Sequence, residues 1–457
     1  MERATLSVED LHTKVSTGDV DTVLVAFPDL QGRLVGKRVT GRYFVDTVLD
    51  GSIEACNYLL AVDVDMTPLP GYRAFNWEQG YGDLSAEPDL ATLRLVPWLE
   101  KTALVLCDLV DEQERMPIDV SPRQILRAQI ERAAKLGYQV KIGAELEFFL
   151  FKDSYAEAAE KGYRDLRPHS DWIEDYHILQ TSREEYLIRE IRNGMDAAGV
   201  PVEFSKGEAG YGQHEINLVY AEALEMADRA AIYKNGVKEI ADQHGRAVTF
   251  MAKWTADDVG SSCHIHSSVW DHEGVASVMW DDEGEHHQST VFRHWLGGLV
   301  AASRELSLLF APNVNSYKRF QPDSWAPTAV AWGLDNRTCG LRLVGHGPAY
   351  RVESRIPGAD CNPYLAFAGI IAAGLHGIAD GLDPGDPFVG NAYADPGVPR
   401  IPSTLADATD LFEASEVARD AFGEEVQHHL VNTARQELAA YGRAVTDWEL
   451  RRSFERL

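Results

Sequence analysis

Lys141-Ile142-Gly143-Ala144-Glu145-Leu146-Glu147-Phe148-Phe149-Leu150 reads as a β-strand with two chemically different faces. Side chains at i and i+2 of a strand share a face, roughly 6.5–7 Å apart. Glu145 and Glu147 therefore point together, while Ala144, Leu146 and Phe148 point the other way. Two carboxylates on so apolar a strand repel each other if both are buried and charged. A divalent cation between or beside them relieves that repulsion; an edge strand with a wet acidic face is the alternative.

Three further segments carry chemistry of a matching kind. In Ser262-Cys263-His264-Ile265-His266-Ser267-Ser268, the residues His264, His266 and Ser268 share one strand face behind the flexible Gly260. Imidazole and carboxylate together suit Mn²⁺ or Mg²⁺ better than thiolate chemistry does. A satisfied core histidine gives the same pattern. Lys206 to Asn217 places Glu208 and Glu215 on either side of a glycine-rich turn, where a fold-back brings both to one ion; a plain surface loop needs no such role. Arg319, Arg337, Arg342, Arg351 and Arg355 gather around Glu353 within about forty residues. Arginine forks suit carboxylate and phosphate recognition, and a structural ion-pair network uses them equally well.

The rest of the chain sets the frame. Its 457 residues allow two or three domains, and 45% hydrophobic with 25% charged residues is the balance of a globular protein. A net charge of −28 repels phosphate backbones and anionic bilayers, so neither nucleic acid nor membrane is an expected partner; metal ions and amines are allowed. Five scattered cysteines without a C-x-x-C pair point to a reduced, cytoplasmic protein. The opening Met1 to Leu6 has no apolar core of leader length, and Tyr364 to Leu375 falls short of a membrane span.

Residues 1–116 mix short β-rich runs with turns: Thr22 to Phe27 and Arg33 to Thr40 as a hairpin, then strands at Leu93 to Pro97 and Ala103 to Leu109. Met116-Pro117-Ile118-Asp119 marks a domain boundary. Beyond it a helix begins at Ser121-Pro122 and stops at Gly137; helical and strand patterns alternate to a capping box at Thr446 to Glu449. Asp281 to Glu285 reads as a solvated loop tip.

Taken together, these motifs resemble the glutamine synthetase family from about residue 20 to the end. The carrying segments are Ala144 to Leu150, Gly212-Gln213-His214-Glu215, Gly260 to Ser268, Asn315-Ser316-Tyr317-Lys318-Arg319, Asn336-Arg337, and Arg351 to Arg355 followed by Asn362-Pro363-Tyr364-Leu365. The resemblance implies an α+β fold: a small N-terminal β-grasp domain over 1–116 and a large catalytic domain over 117–457. It also implies double rings, commonly dodecamers, with active sites between subunits. Glu147, Glu208 and Glu215 would hold one Mg²⁺ or Mn²⁺, and Glu145, His264 and Glu353 a second. Gly260 and Arg319 would position glutamate. Arg337 and Arg355 would neutralise the phosphoryl group in flight, and Arg342, His266 and Ser268 would lie on the ATP side. ATP would phosphorylate the γ-carboxylate, and an amine would displace the phosphate.

The departures from the family concern the amine. Ammonia-using members carry a flap glutamate six residues after the arginine of Asn-Ser-Tyr-Lys-Arg; counted from Arg319, that position holds Trp325. The family's Asp-Gly-Ser-Ser latch has no clean copy near Asp63-Val64-Asp65-Met66-Thr67, and Pro68 to Gln79 looks inserted. Without these carboxylates a pocket for ammonium is crippled, whereas Trp325 can contact an alkyl chain or a cation. The chain is therefore expected to be a glutamate–amine ligase, similar to γ-glutamylpolyamine synthetases. Putrescine, spermidine or spermine lead, and ethanolamine or another monoamine follows. Glutamine synthetase proper and an inactive structural homologue are the remaining readings. Asp63, Asp65, Asp83, Glu78 and Glu87 are candidate bases on the amine side. Tyr393 stands near the tyrosine that is adenylylated in some relatives, but Gly390 to Asp395 lacks the surrounding pattern, so that regulation is not expected.

Overall fold

The computed structural model describes residues 5–322 and 324–457. Met1 to Ala4, at the start of the chain, and Asp323, in the segment leading to Trp325, lie outside the described residues.

The N-terminal part is built on a mixed sheet of six strands. Thr22–Pro28 forms a hairpin with Leu34–Thr40 and runs parallel to Thr102–Asp111 on its other side. Asp83–Pro88 and Ile53–Cys56 continue the sheet beyond Thr102–Asp111. The turn of the hairpin is held by Asp29, whose Oδ1 accepts the backbone N–H groups of Gln31 and Arg33, while Gly32 supplies a φ of 76°. The strand expected over Leu93 to Pro97 shrinks to Arg94–Leu95, because a 3₁₀ turn at Leu90–Thr92 precedes it and Pro97 has no N–H for the ladder.

The larger part is built on a nine-stranded, mostly antiparallel sheet centred on Gln139–Phe151. Outward on one side lie Cys263–Trp270, Arg351–Ser354, Leu341–Val344 and Trp332–Leu334; on the other lie Gln213–Leu218 and Val202–Gly207. Ala221–Glu222 and Ala247–Thr249 pair with the ends of the central strand. Helices Pro122–Lys135 and Ala223–Gln243 pack on that strand, and Pro363–Asp380 packs on both helices. Ala144, Leu146 and Phe148 are buried on the helix-covered side, which leaves Glu145 and Glu147 on the open face.

The helix after Ser121 runs Pro122–Lys135, with Gly137 at φ 83° ending it as the sequence indicated. Pro363–Asp380 is longer than its most apolar run. Its 18 residues have mean hydropathy 1.2, enough to cross a membrane by length and composition alone, but 78% of it is buried inside the fold. It is a core helix. All five cysteines are free thiols.

The helices of the larger part are tied to the N-terminal part through buried charge. Arg123, 1% exposed, bonds to Asp228 on helix Ala223–Gln243 and to Asp89 and Asp108 of the N-terminal part. Asn362 donates to the backbone oxygens of Asp29 and Leu30. The segment Pro68 to Gln79 docks on helix Glu416–Arg443, where Tyr72 Oη meets Thr433 Oγ1 at 2.9 Å and Asn432 donates to Pro70 O.

Candidate active site

Strand register assembles the site. Directly opposed residues of antiparallel neighbours project on the same face of the sheet. His264 is opposite Glu145, and Glu147 is opposite Glu215. Glu353 is opposite His266 on one neighbour and Arg342 on the other. Five strands thus deliver their polar side chains to one wall of a cavity of about 740 Å³. Every proposed metal-ligating glutamate lines it, with His264, Gly260, Arg319, Arg337, Arg342, Arg355 and Trp325.

Within that wall, ligand atoms of Glu145, His264 and Glu353 lie within 4.8 Å of one another, as do those of Glu147, Glu215 and His264. The first set is the one expected. In the second, His264 stands where Glu208 was expected, because Glu208 is drawn aside into an ion pair with Lys206. Glu208 still lines the same cavity. His264 Nε2 is buried without a hydrogen-bond partner among these carboxylates, and its lone pair suits a cation. The donor set, oxygens with one imidazole, fits Mg²⁺ or Mn²⁺.

The electrostatics divide the glutamates into two groups. Burial, with the Glu208 charge beside it, pushes Glu147 well above the ordinary carboxylate range. Burial and the charges of Glu145, Glu208 and Glu147 push Glu215 in the same direction. Burial also acts on Glu145, but hydrogen bonds from His264 and His266 outweigh it and hold the group low. Glu353 is likewise buried, and Arg355 brings it down to about 2. Burial and the neighbouring Arg355 lower His264 to about 4, so the imidazole is neutral at ordinary pH.

Arg319 is 1% exposed and serves as a brace: it donates to the carbonyls of Ile356 and Arg355 and, at 2.7 Å, to Ser262 Oγ. Gly260 lies so close to it that a Cβ there would come within 2.6 Å of Arg319 Cγ. Arg342 bonds to Glu353 Oε2 at 2.7 Å and to Asp335; Arg355 pairs with the other oxygen of Glu353. Two expected residues do not line the cavity. His266 stands behind Glu145: its Nε2 donates to Oε1 at 2.8 Å, and its Nδ1 accepts from Arg351 at 3.0 Å. Ser268 Oγ accepts from Trp270 Nε1.

Trp325 reaches the cavity with its backbone at φ 60° and 60% of its surface exposed, an uncommon conformation for a bulky residue. Asp63, Asp65, Asp83, Glu78 and Glu87 are absent from the cavity lining among the described residues. Asp63 Oδ1 instead accepts the N–H groups of Asp65 and Thr67, closing its own loop. The sequence reading missed the wall formed by Asp175, Tyr176, Ile178, Thr181 and Phe204. Asp175 bonds to Lys206 Nζ at 3.2 Å and bridges to Gly207. Its stretch is irregular, so neither helical nor strand periodicity marked it; its acid-aromatic pair, Asp175-Tyr176, was the sole local signal.

Carboxylates, one neutral imidazole and several arginines facing one cavity define a site for anionic groups handled with divalent cations. The model of the glutamine synthetase catalytic domain matches residues 119–453. The chain is 53% identical over 453 residues to a gamma-glutamylethanolamide synthetase of Streptomyces coelicolor, covering 99% of this chain and 96% of the relative. It is 41% identical over 438 residues to a glutamate–isopropylamine ligase of a Pseudomonas species, covering 95% of each. The solved GmaS/ADP complex superposes with a TM-score of 0.85 at 30% identity, covering 97% of this chain and 99% of that one. The chain belongs to the glutamine synthetase family, on its glutamate–amine ligase branch, and is a carbon–nitrogen ligase.

Proposed function

We propose that this enzyme joins the γ-carboxylate of glutamate to a short-chain monoamine, ethanolamine or a small alkylamine, in a reaction driven by ATP. The polyamine favoured by the sequence reading gives way to its alternative, because the two relatives above are named for ethanolamine and isopropylamine products or substrates. The observation that carries the reading is Trp325, an exposed aromatic on the cavity where ammonia-using relatives place a carboxylate. A carboxylate binds ammonium by charge; an indole contacts the carbon chain of a substituted amine.

In this reading Glu145, His264 and Glu353 hold one Mg²⁺ or Mn²⁺, and Glu147, Glu208 and Glu215 the other. Bound there, the cations supply positive charge against the phosphates of ATP and the γ-carboxylate. Arg337 and Arg355 add charge where the phosphoryl group passes from ATP to the carboxylate oxygen, forming γ-glutamyl phosphate. Gly260 lets Arg319 pack close against its backbone, and together they position glutamate at that corner. Arg342 takes the nucleotide phosphates, while His266 and Ser268 stiffen the ATP side from behind. A protonated amine must lose a proton before it attacks, since alkylammonium groups resemble lysine with a pKa near ~10.4. Asp175, a cavity carboxylate apart from both metal sets, is the base we assign to that step.

We further read residues 1–116 as a β-grasp domain and 117–457 as the catalytic domain, in a cytoplasmic homo-oligomer, a dodecamer, whose sites are completed by a neighbouring subunit. Phosphate release with glutamate, ATP and Mg²⁺ across ammonium, ethanolamine, isopropylamine, putrescine and spermine tests the reading. Release should be strongest with a short monoamine. Strongest release with ammonium or a polyamine overturns it.

A further inference from the structure

Behind the active-site hairpin lies a second cluster that the ligase chemistry leaves unused. Glu174, Glu184 and His214 are 0%, 1% and 1% exposed, and one ligand atom from each lies within 4.8 Å of the others. Glu174 Oε1 and Oε2, Glu184 Oε2 and His214 Nε2 are all buried without a well-aligned hydrogen bond, although Ser170 and Glu184 stand near enough to the Glu174 carboxyl to act on it. The nearest approach between acid and imidazole, His214 Nε2 to Glu174 Oε2, is 3.6 Å, too long for a hydrogen bond. Glu184 has a further support: its Oε1 pairs with His169 Nδ1 at 2.8 Å, leaving Oε2 directed into the cluster.

Buried acceptors cannot satisfy one another, and each costs free energy until a proton or a cation arrives. We propose that Glu174, Glu184 and His214 form a structural divalent-metal site, distinct from the catalytic wall, for an ion that accepts imidazole nitrogen with carboxylate oxygen, Zn²⁺ foremost. Mg²⁺ demands a near-octahedral oxygen shell, which three buried side chains do not provide, whereas Zn²⁺ is commonly held by three or four such ligands. His169 on Glu184 is the outer partner that orients a ligating carboxylate.

The placement gives the site a purpose. Glu174 precedes Asp175 in sequence, and a Cβ on Gly207 would stand 2.6 Å from Glu174 Cβ, so this loop is pressed against the hairpin that carries Glu208 and Glu215. Glu184 immediately precedes helix Glu185–Ala197, and His214 lies on strand Gln213–Leu218. One ion there fastens loop, helix and strand together, and with them the cavity wall bearing Asp175 and Tyr176.

The competing account is a proton shared by Glu174 and Glu184. To separate the two, chelator-treated protein is loaded with Zn²⁺ in excess Mg²⁺, dialysed, and examined by elemental analysis and thermal unfolding. The wild type and a His264→Asn control, which removes the active-site imidazole, should each retain about one Zn²⁺ per chain and gain Tm from it. Glu174→Gln and Glu184→Gln should lose both. Absence of retained Zn²⁺ in the wild type, loss of it in His264→Asn alone, or carboxamide variants that match the wild type would overturn the site. If neither carboxamide variant folds, the zinc absorption edge of the His264→Asn protein decides. A shell with an imidazole nitrogen at about 2.0–2.1 Å supports the assignment, and one without it contradicts it.

Discussion

Glu147 faces Glu215 directly across two antiparallel strands, both carboxylates buried and both held above the ordinary carboxylate range. The metal-free folded chain therefore binds more protons than the unfolded chain once pH passes the ordinary carboxylate pKa. Stability from these groups is present at low pH and lost as pH rises toward their folded values. Thermal unfolding should show the metal-free Tm falling between about pH 7 and pH 8, above the range in which the buried histidines, neutral in the fold, still take up protons in the unfolded chain. Mg²⁺ or Mn²⁺ should flatten the fall, and Glu147→Gln should flatten it without metal. A metal-free Tm that rises across this range contradicts the account.

Trp325 lines the cavity, and the proposed function assigns it the choice between ammonia and substituted amines. Trp325→Glu should raise phosphate release with ammonium relative to ethanolamine by about tenfold, equal to about 1.4 kcal/mol of transition-state preference. An equal loss of both activities removes the indole from the specificity argument.

Asp175 is assigned to the amine's proton. Asp175→Asn keeps the shape and should lower kcat with the amine by about 10²–10⁴-fold while leaving the KM for glutamate near its original value. The defect should shrink as pH approaches the amine's own pKa, where the nucleophile is already neutral. A change confined to the KM for ATP would contradict this role.

Arg123, on helix Pro122–Lys135, joins Asp228 of helix Ala223–Gln243 to Asp89 and Asp108 of the N-terminal part. Arg123→Ala strands several carboxylates and should destabilise the chain by about 3–5 kcal/mol in denaturant unfolding, whereas a pair within a solvated surface would cost little.

What the sequence made legible follows the physics of strands. Period-two alternation placed Glu145 and Glu147 on one face, and the same rule placed His264 and His266, so the wall could be drawn before its partners were known. Register could not be read that way: nothing in the sequence showed that Glu353 stands between His266 and Arg342, or that Lys206 would pull Glu208 aside. Irregular backbone hid more. Glu174, Asp175 and Glu184 sit in a stretch without periodicity, and their convergence on the hairpin depends on contacts between distant segments. The N-terminal hairpin was legible because Asp29 and Gly32 fix its turn locally.

Competition in one vessel tests the amine claim most directly. The enzyme is given glutamate, ATP and Mg²⁺ with ethanolamine and ammonium at equal total concentration, and products are separated by mass. The account predicts γ-glutamylethanolamide in clear excess over glutamine. Glutamine as the dominant product would contradict it.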